Sequence, residues 1–320
     1  MATIAVAFAG LLVGALAAYI SERGIAATAA GSIGNAFNRT QATGEPSESA
    51  RDKIVANIIS GDLIPERLVP PATYLAPTLA STQKPKIIII IDDMGVDRWA
   101  SEQALLLPGP VTYSFLPYAR NVEDTVAKAR AAGGEIMLHL PMEPRGDADP
   151  GPYALKSGMT GGAFIEDLEW NLSQFTGYVG VNNHMGSKLT ANVAAMKTLL
   201  AHLNHKNVFF LDSLTTGETA VREAANAIGV EVFARDVFLD DAVGDKNAIR
   251  QQLSLAERIA HETGYVVAIG HPRKETLEVL GPWLTSAPMR GFELVYASDL
   301  KTITKQPKPT ALAAAPALRL

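Results

Sequence analysis

The 320-residue sequence contains no cysteine. This absence excludes disulfide bonds, thiolate nucleophiles and cysteine-based zinc sites, so a zinc-like centre would have to use histidine nitrogen and carboxylate oxygen. A long basic run is also missing, and the formal net charge is −5, so we expect no nucleic-acid partner. The G-x-S-x-G, P-loop and G-x-G-x-x-G motifs are absent as well, which argues against a serine hydrolase, an NTPase and a dinucleotide-binding protein.

Charge is absent from the side chains of residues 1–21, where 19 largely apolar residues run from Ala2 to Ile20. This length suits a membrane-spanning helix, whereas the basic region that usually opens a signal peptide is lacking. We expect a membrane anchor or an atypical signal segment; a buried globular helix is the alternative. The protein would then lie in the cell envelope, either anchored in the membrane through this segment or periplasmic.

The next part of the chain has the composition of a linker. Residues 22–83 are rich in small and polar residues, and prolines accumulate from Pro65 onwards. Such composition predicts a largely disordered tether, and residues 304–320 read as a disordered tail for the same reason. We therefore place the folded domain at residues 84–303, in which no internal repeat is visible.

The most informative local pattern is five isoleucines, Ile87–Ile91, followed directly by Asp92 and Asp93. An apolar run without polar alternation predicts a strand that is buried on both faces, usually in a parallel sheet. Gly95 ends it, so both carboxylates lie at the carboxyl end of the strand, where α/β proteins bind ligands. Adjacent carboxylates repel unless a cation or a shared proton relieves them. The alternative is a turn with one N-capping aspartate.

Strand and helix patterns alternate through the predicted domain. Helical patterns such as "NVAAMKTLLAHLNHK", residues 192–206, whose apolar stripe starts after the capping types Thr190 and Asn192, separate most of the strands. Eight such units predict an α/β fold that is either a closed or distorted (β/α) barrel or a doubly wound sheet. The predicted strands are residues 86–91, 110–116, 134–140, 178–182, 207–211, 230–234, 264–269 and 291–296.

Polar residues collect at the ends of these strands. Three of the six histidines, His139, His184 and His271, follow strands directly. Singly, each would be read as structural, but together with the aspartate pair they indicate a metal site on one rim. A His₂Asp set with open positions is a plausible catalytic centre that lowers the pKa of water and polarises a carbonyl. The other polar residues at strand ends are Glu143, Asn182, Asn183, Asp212, Ser213, Arg235, Asp236, Asp240 and Asp241.

Six motifs in order resemble the divergent polysaccharide deacetylase family, a branch of the NodB-like carbohydrate esterases. They are "IDDMG", "HLPMEP", "GVNNHMGSKLT", "FFLDS", "RDVFLDD" and "IGHP", and the resemblance covers about residues 86–285. It implies a distorted, NodB-like (β/α) barrel and a divalent-metal-dependent removal of acetyl groups from N-acetylated sugars. It makes an N-acetylated glycan the expected partner and zinc the expected metal.

The resemblance also implies roles for individual residues. Asp92 would be the catalytic base, Asp93 and His139 metal ligands, and His271 the general acid. The second histidine of the family's H-x-x-x-H ligand pair is replaced by Glu143, and His184 would supply the missing imidazole.

Four residues are expected to support this site. Glu143 would contribute to the metal or hydrogen-bond a ligand histidine. The arginine that orients the base has no counterpart in "NNHMG", and Arg235 would replace it. Asn183 and Asp212 complete the supporting set.

These expectations favour a metal-dependent hydrolase that removes acetyl groups from an envelope glycan. The alternative is a catalytically weak or inactive carbohydrate-binding or scaffolding protein that retains the deacetylase-like site. A binding protein has no need of an acid and a base, so the combination of Asp92 with His271 favours the enzyme.

Overall fold

The computed structural model describes residues 83–304. The predictions for the apolar segment at residues 1–21, for the linker up to residue 82 and for the tail from residue 305 lie outside the described residues. Within residues 83–304, no helix combines the length and apolarity that a bilayer crossing requires.

Within residues 83–304, nine strands form a single sheet in which every pairing is parallel. All eight predicted strands are present, and one further strand of two residues, Val237–Phe238, was not predicted from the sequence. The strands are β1 (Lys86–Met94), β2 (Thr112–Phe115), β3 (Glu135–Met142), β4 (Gly180–Met185), β5 (Phe209–Asp212), β6 (Val232–Ala234), β7 (Val237–Phe238), β8 (Tyr265–Gly270) and β9 (Glu293–Val295).

Helices connect most of the strands. The helix α4 begins as its sequence predicts, because the Asn192 side chain accepts a hydrogen bond from the Ala195 backbone N–H at 3.1 Å. The helices are α1 (Arg98–Ala104), α2 (Val122–Ala131), α3 (Gly161–Ser173), α4 (Val193–His205), α5 (Val221–Ile228), α6 (Lys246–Thr263), α7 (Lys274–Ser286) and α8 (Leu300–Ile303), with 3₁₀ turns at Ala287–Arg290 and Ala297–Asp299.

The strand order is β6-β5-β4-β3-β2-β1-β8-β7, and the sheet curls into a half-barrel. In the described chain β6 and β7 are the two ends of this order, so the barrel is open between them. The strand β9 lies outside the order and pairs with the first half of β1, Lys86–Ile88, while β2 pairs with its second half. The prediction of a distorted, NodB-like (β/α) barrel is confirmed, and the closed and doubly wound alternatives are wrong.

The two faces of the sheet have separate apolar cores. Ile87, Ile89 and Ile91 pack in the larger cluster, which includes residues of the covering helices, whereas Ile88 and Ile90 pack with other strand residues inside the curve. All five isoleucines have 0% exposure, as a strand buried on both faces requires.

Polar residues replace this inner core at the carboxyl ends of the strands. Strand side chains alternate between faces, and the inward residues that follow the last apolar ones, Ile90, Met137 and Ile269, are polar. The apolar layer thus forms the floor beneath a polar layer made by Asp92, His139, Asn182, Ser213, Arg235 and His271.

Candidate metal centre

A local break in β1 brings both aspartates to the polar layer. Successive side chains of a regular strand point to opposite faces, but the register between β1 and β2 shifts between Ile91 and Met94. Asp93 lies in this break with a φ of 57°, in the left-handed region that aspartate adopts more readily than most residues. Gly95 continues the turn at a φ of 100°, where a Cβ would lie 2.8 Å from the Cβ of Ala119.

Three potential metal ligands meet at the end of β1, β3 and β4. Oδ1 of Asp93 lies 2.9 Å from Nδ1 of His184 and 3.2 Å from Nε2 of His139. One atom from each of the three residues lies within 4.8 Å of the other two. The structure thus brings together the three residues that the sequence nominated as ligands.

The contacts among these atoms fit a shared cation better than a hydrogen-bonded cluster. Oδ1 of Asp93 is buried and has no hydrogen-bond partner, although both imidazole nitrogens lie beside it. Two ligands of a tetrahedral zinc, each about 2.0–2.1 Å from the metal, are separated by roughly 3.3 Å. The observed separations of 2.9 and 3.2 Å are close to that value. Two imidazoles and one carboxylate are also a donor set that suits zinc.

When no cation is bound, a protonated imidazole balances the negative charge of the carboxylates in this cluster. Burial would raise the pKa of Asp93, but the adjacent imidazoles of His139 and His184 hold it well below its ordinary range. Burial also opposes protonation of His139, yet Asp92 and Asp93 raise its pKa to about 9. A metal must therefore displace a proton from His139, so we expect metal affinity to fall as the pH is lowered.

Asp92 lies next to the three potential ligands but is not one of them. Its side chain is buried and accepts hydrogen bonds from Nδ2 of Asn182 at 2.8 and 3.0 Å. Its Oδ2 is 3.8 Å from Nε2 of His139. Burial raises the pKa of Asp92, although the charges of His139 and His271 oppose the shift. This carboxylate is thus held by Asn182 beside the cluster and is not among the three converging groups.

His271 stands on the other side of Asp93. Its Nε2 lies 3.7 Å from Oδ2 of Asp93, and its Nδ1 lies 2.9 Å from Oδ1 of Asp240. Asp240 is buried and also accepts from the His271 backbone N–H at 2.8 Å and from Oγ1 of Thr276 at 2.7 Å. Burial opposes protonation of His271, but the contact with Asp240 raises its pKa. The ring is therefore fixed with Nε2 directed toward the ligands and is favoured as a proton donor.

Glu143 is not brought to this cluster. Its carboxylate accepts hydrogen bonds from the backbone and hydroxyl of Ser157 at 2.8 and 2.6 Å and from Nζ of Lys188 at 2.7 Å. Burial opposes the shift, but these donors lower the pKa of Glu143 to about 2. The Glu143 carboxylate thus connects the loop after β3, through Ser157, with the loop after β4, through Lys188.

Asn183 and Asp212 hold the rim of the site in shape. Oδ1 of Asn183 accepts from the Ser213 backbone N–H at 2.8 Å. Asp212 accepts from the Leu214 backbone N–H at 2.9 Å and from Oγ1 of Thr219 at 2.7 Å. Leu214 has a φ of 52°, a strained value for this residue type, which these bonds help to maintain.

Arg235 lines the site but does not orient the base. Its Nε donates to the carbonyl of Ser213 at 2.8 Å and its Nη2 to the carbonyl of Leu214 at 3.1 Å. Its guanidinium also lies over the ring of Phe238, 4.9 Å from the centroid. Among the described residues it forms no ion pair with Asp92; Asn182 contacts that carboxylate instead.

Two residues that contact the proposed base and acid have no role in the sequence-based prediction. Asn182 and Asp240 were recognised only as polar residues near strand ends. Asn182 had a usable signal, because it precedes His184 by two positions and shares its strand face. Asp240 had none, since its partner His271 is 31 residues away in the sequence.

A cavity of about 600 Å³ opens above these groups. Its wall combines polar atoms of the site with apolar side chains from the loops after the strands. It is lined by Asp92, Asp93, His139, Asn183, His184, Met185, Ser213, Leu214, Thr215, Arg235, Asp236, Val237, Phe238, Asp241, Gln252, Ile269 and His271. Its volume lies in the range of small-molecule binding sites.

Residues 89–301 match the family described as divergent polysaccharide deacetylase. The uncharacterized protein YibQ of Escherichia coli is 34% identical over 215 residues, which make up 67% of this chain and 67% of that protein. An uncharacterized protein of Haemophilus influenzae is 30% identical over 234 residues, or 72% of this chain and 83% of that protein. The crystal structure of an uncharacterized protein from Agrobacterium tumefaciens is similar with a TM-score of 0.66 at 27% identity, covering 69% of this chain and 90% of that one.

Proposed function

Because this chain belongs to the divergent polysaccharide deacetylase family, we propose that it is a metal-dependent hydrolase that removes acetyl groups from an N-acetylated glycan of the cell envelope. One observation carries the proposal. A buried carboxylate, Asp92, and an imidazole fixed by a carboxylate, His271, flank a cluster of three ligand atoms on one rim. Metal-assisted hydrolysis of an amide can use these three elements together, the metal to activate water, a base to accept its proton and an acid to protonate the leaving amine.

The metal would be held by Asp93, His139 and His184. When bound, a divalent cation polarises the acetyl carbonyl and lowers the pKa of the attacking water. We propose zinc, since a donor set of two imidazoles and one carboxylate suits this metal.

The remaining chemistry belongs to two side chains. Asp92 takes a proton from the attacking water as the new C–O bond forms. His271 gives the proton on its Nε2 to the amine nitrogen as the C–N bond breaks, so the products are acetate and a free amino group. Asp240 stabilises the charged form of His271 before that transfer.

The proposal is tested by metal analysis of the purified protein followed by an assay on N-acetylglucosamine oligomers. We expect about one zinc per chain and release of acetate that a chelator abolishes. Bound metal without turnover would favour a carbohydrate-binding or scaffolding protein, and absence of bound metal at neutral pH would refute the proposal.

Alanine at His139 or at His184 is expected to lower metal affinity by about 10-fold or more, by the sensitivity typical of metal shells. Each change removes one of three converging ligand atoms. Competition with a chelating dye measures the affinity. The matched control is His202→Ala, which removes an imidazole that pairs with Glu169 on the helical surface. Equal affinity in all three variants would place the metal elsewhere.

We also propose that the domain works outside the cytoplasm, attached through the apolar N-terminal segment. The uncharged run at residues 1–21 supports this. Fractionation of cells that express the full chain should recover it with the envelope, and release of the whole population into the cytoplasmic fraction would contradict the proposal.

A further inference from the structure

Asn182 lies between the proposed base and one proposed ligand. It is on β4, with its side chain at 0% exposure, and it pairs in register with His139 on one side and Leu211 on the other. A buried amide is costly unless both its oxygen and its nitrogen are bonded. Its complete set of partners therefore shows what the position requires.

All bonding positions of the Asn182 amide are occupied. Its Nδ2 donates to both oxygens of Asp92, at 2.8 and 3.0 Å, and to Oγ of Ser213 at 3.1 Å. Its Oδ1 accepts from Oγ of Ser114 at 2.6 Å and lies 2.9 Å from Nδ1 of His139.

The partners leave one orientation of this amide. An ionised carboxylate only accepts hydrogen bonds, so the NH₂ group must face Asp92 and the oxygen must face His139. The oxygen can only accept, and a lone pair on Nδ1 of His139 would repel it at 2.9 Å, so Nδ1 must be a protonated nitrogen. Nε2 of His139, which points toward Asp93 at 3.2 Å, is then the nitrogen that gives up its proton when a metal binds and that coordinates the metal.

We propose that Asn182 is a positioning residue that joins the base to the metal centre. Through its NH₂ group it holds Asp92, and through its oxygen it selects the tautomer and orientation of His139. Hydrogen bonds from such outer partners fix ligand histidines in metal sites. The inference rests on the proposed function. It assigns two effects to the Asn182 amide, holding Asp92 and orienting His139, and different substitutions can separate them.

The experiment compares Asn182→Ala and Asn182→Asp with the wild-type protein by zinc affinity, kcat at saturating zinc, and thermal unfolding. The alanine variant loses both bonds, so we expect a drop in zinc affinity of about 10–100-fold together with a lower kcat. The aspartate variant retains an acceptor for His139 but no longer offers an amide donor to Asp92. We expect its zinc affinity to stay within about 3-fold of wild type and its kcat to fall by at least about 100-fold.

A matched control separates positioning from stability. Asn171 is also a buried asparagine, and its amide donates to the carbonyls of Tyr153 and Asp167 away from the site. Asn171→Ala should lower the unfolding temperature without changing zinc affinity or kcat.

Three results would overturn the inference. Asn182→Ala could behave like Asn171→Ala; Asn182→Asp could lose zinc as severely as Asn182→Ala; or Asn182→Asp could retain full kcat. If the alanine variant does not fold, the aspartate variant is sufficient as a test. Full kcat in Asn182→Asp, or a loss of zinc affinity that parallels the loss of kcat, would overturn the inference. A wild-type protein that binds no zinc would refute the proposed function as well, whereas zinc-binding variants with unchanged rates would refute the inference alone.

Discussion

Replacing His271 by alanine is expected to leave metal binding intact and to lower the rate of deacetylation by about 10²–10⁴-fold, the usual contribution of a general acid. The imidazole is the group best placed to protonate the departing amine. Its Nε2 is 3.7 Å from Oδ2 of Asp93, the carboxylate oxygen that does not face the ligand histidines, and its Nδ1 is engaged by Asp240. Zinc affinity and kcat, measured on the same preparation, check both parts of this expectation.

The control for this variant is His205→Ala, which removes an exposed imidazole at the last residue of α4. It should match wild type in both measurements. Full activity in His271→Ala would remove His271 from the reaction. Loss of zinc in proportion to the loss of rate would instead make His271 a ligand.

The strands could be predicted because a buried strand appears in the sequence as a short run of apolar residues. Ile87–Ile91 reads as a strand enclosed on both faces, and the structure places alternate members in two separate cores. The extra strand β7 has only two residues, too few for a pattern. The opening between β6 and β7 likewise depends on which strand edges meet, which no local run of residues specifies.

The site was predictable to the extent that its members are adjacent to strand ends. The aspartate pair and three histidines were identified from their positions after predicted strands, whereas their contacts depend on the tertiary structure. Strand alternation places Asn182, and not Asn183, on the same face as His184, but its contacts with His139 and Asp92 depend on the neighbouring strands. Glu143 lies one residue beyond β3, where the chain has left the strand and Ser157 and Lys188 engage its carboxylate.

The second large effect concerns the two adjacent aspartates, which we expect to have different functions. Asp93→Asn should lose zinc and activity together, because Oδ1 of Asp93 is one of the three converging ligand atoms. Asp92→Asn should retain zinc and lower the rate by about 10²–10⁴-fold, because it removes only the proton acceptor. The two substitutions change the same atoms at neighbouring positions, so each variant is the control for the other.

The pH dependence gives the same prediction a second measurement. Turnover needs Asp92 ionised and His271 protonated, so kcat should rise with pH through the pKa of Asp92 and fall through that of His271. In the metal-free protein burial raises the pKa of Asp92, and Asp240 with the nearby carboxylates raises the pKa of His271 against the effect of burial. A cation at Asp93 opposes both shifts.

Residual activity of Asp92→Asn should lack the acidic limb wherever zinc remains bound. If Asp92→Asn loses zinc while Asp93→Asn retains it, the two roles are reversed; if neither variant changes zinc affinity or rate, the pair forms only a turn and the proposed chemistry is wrong.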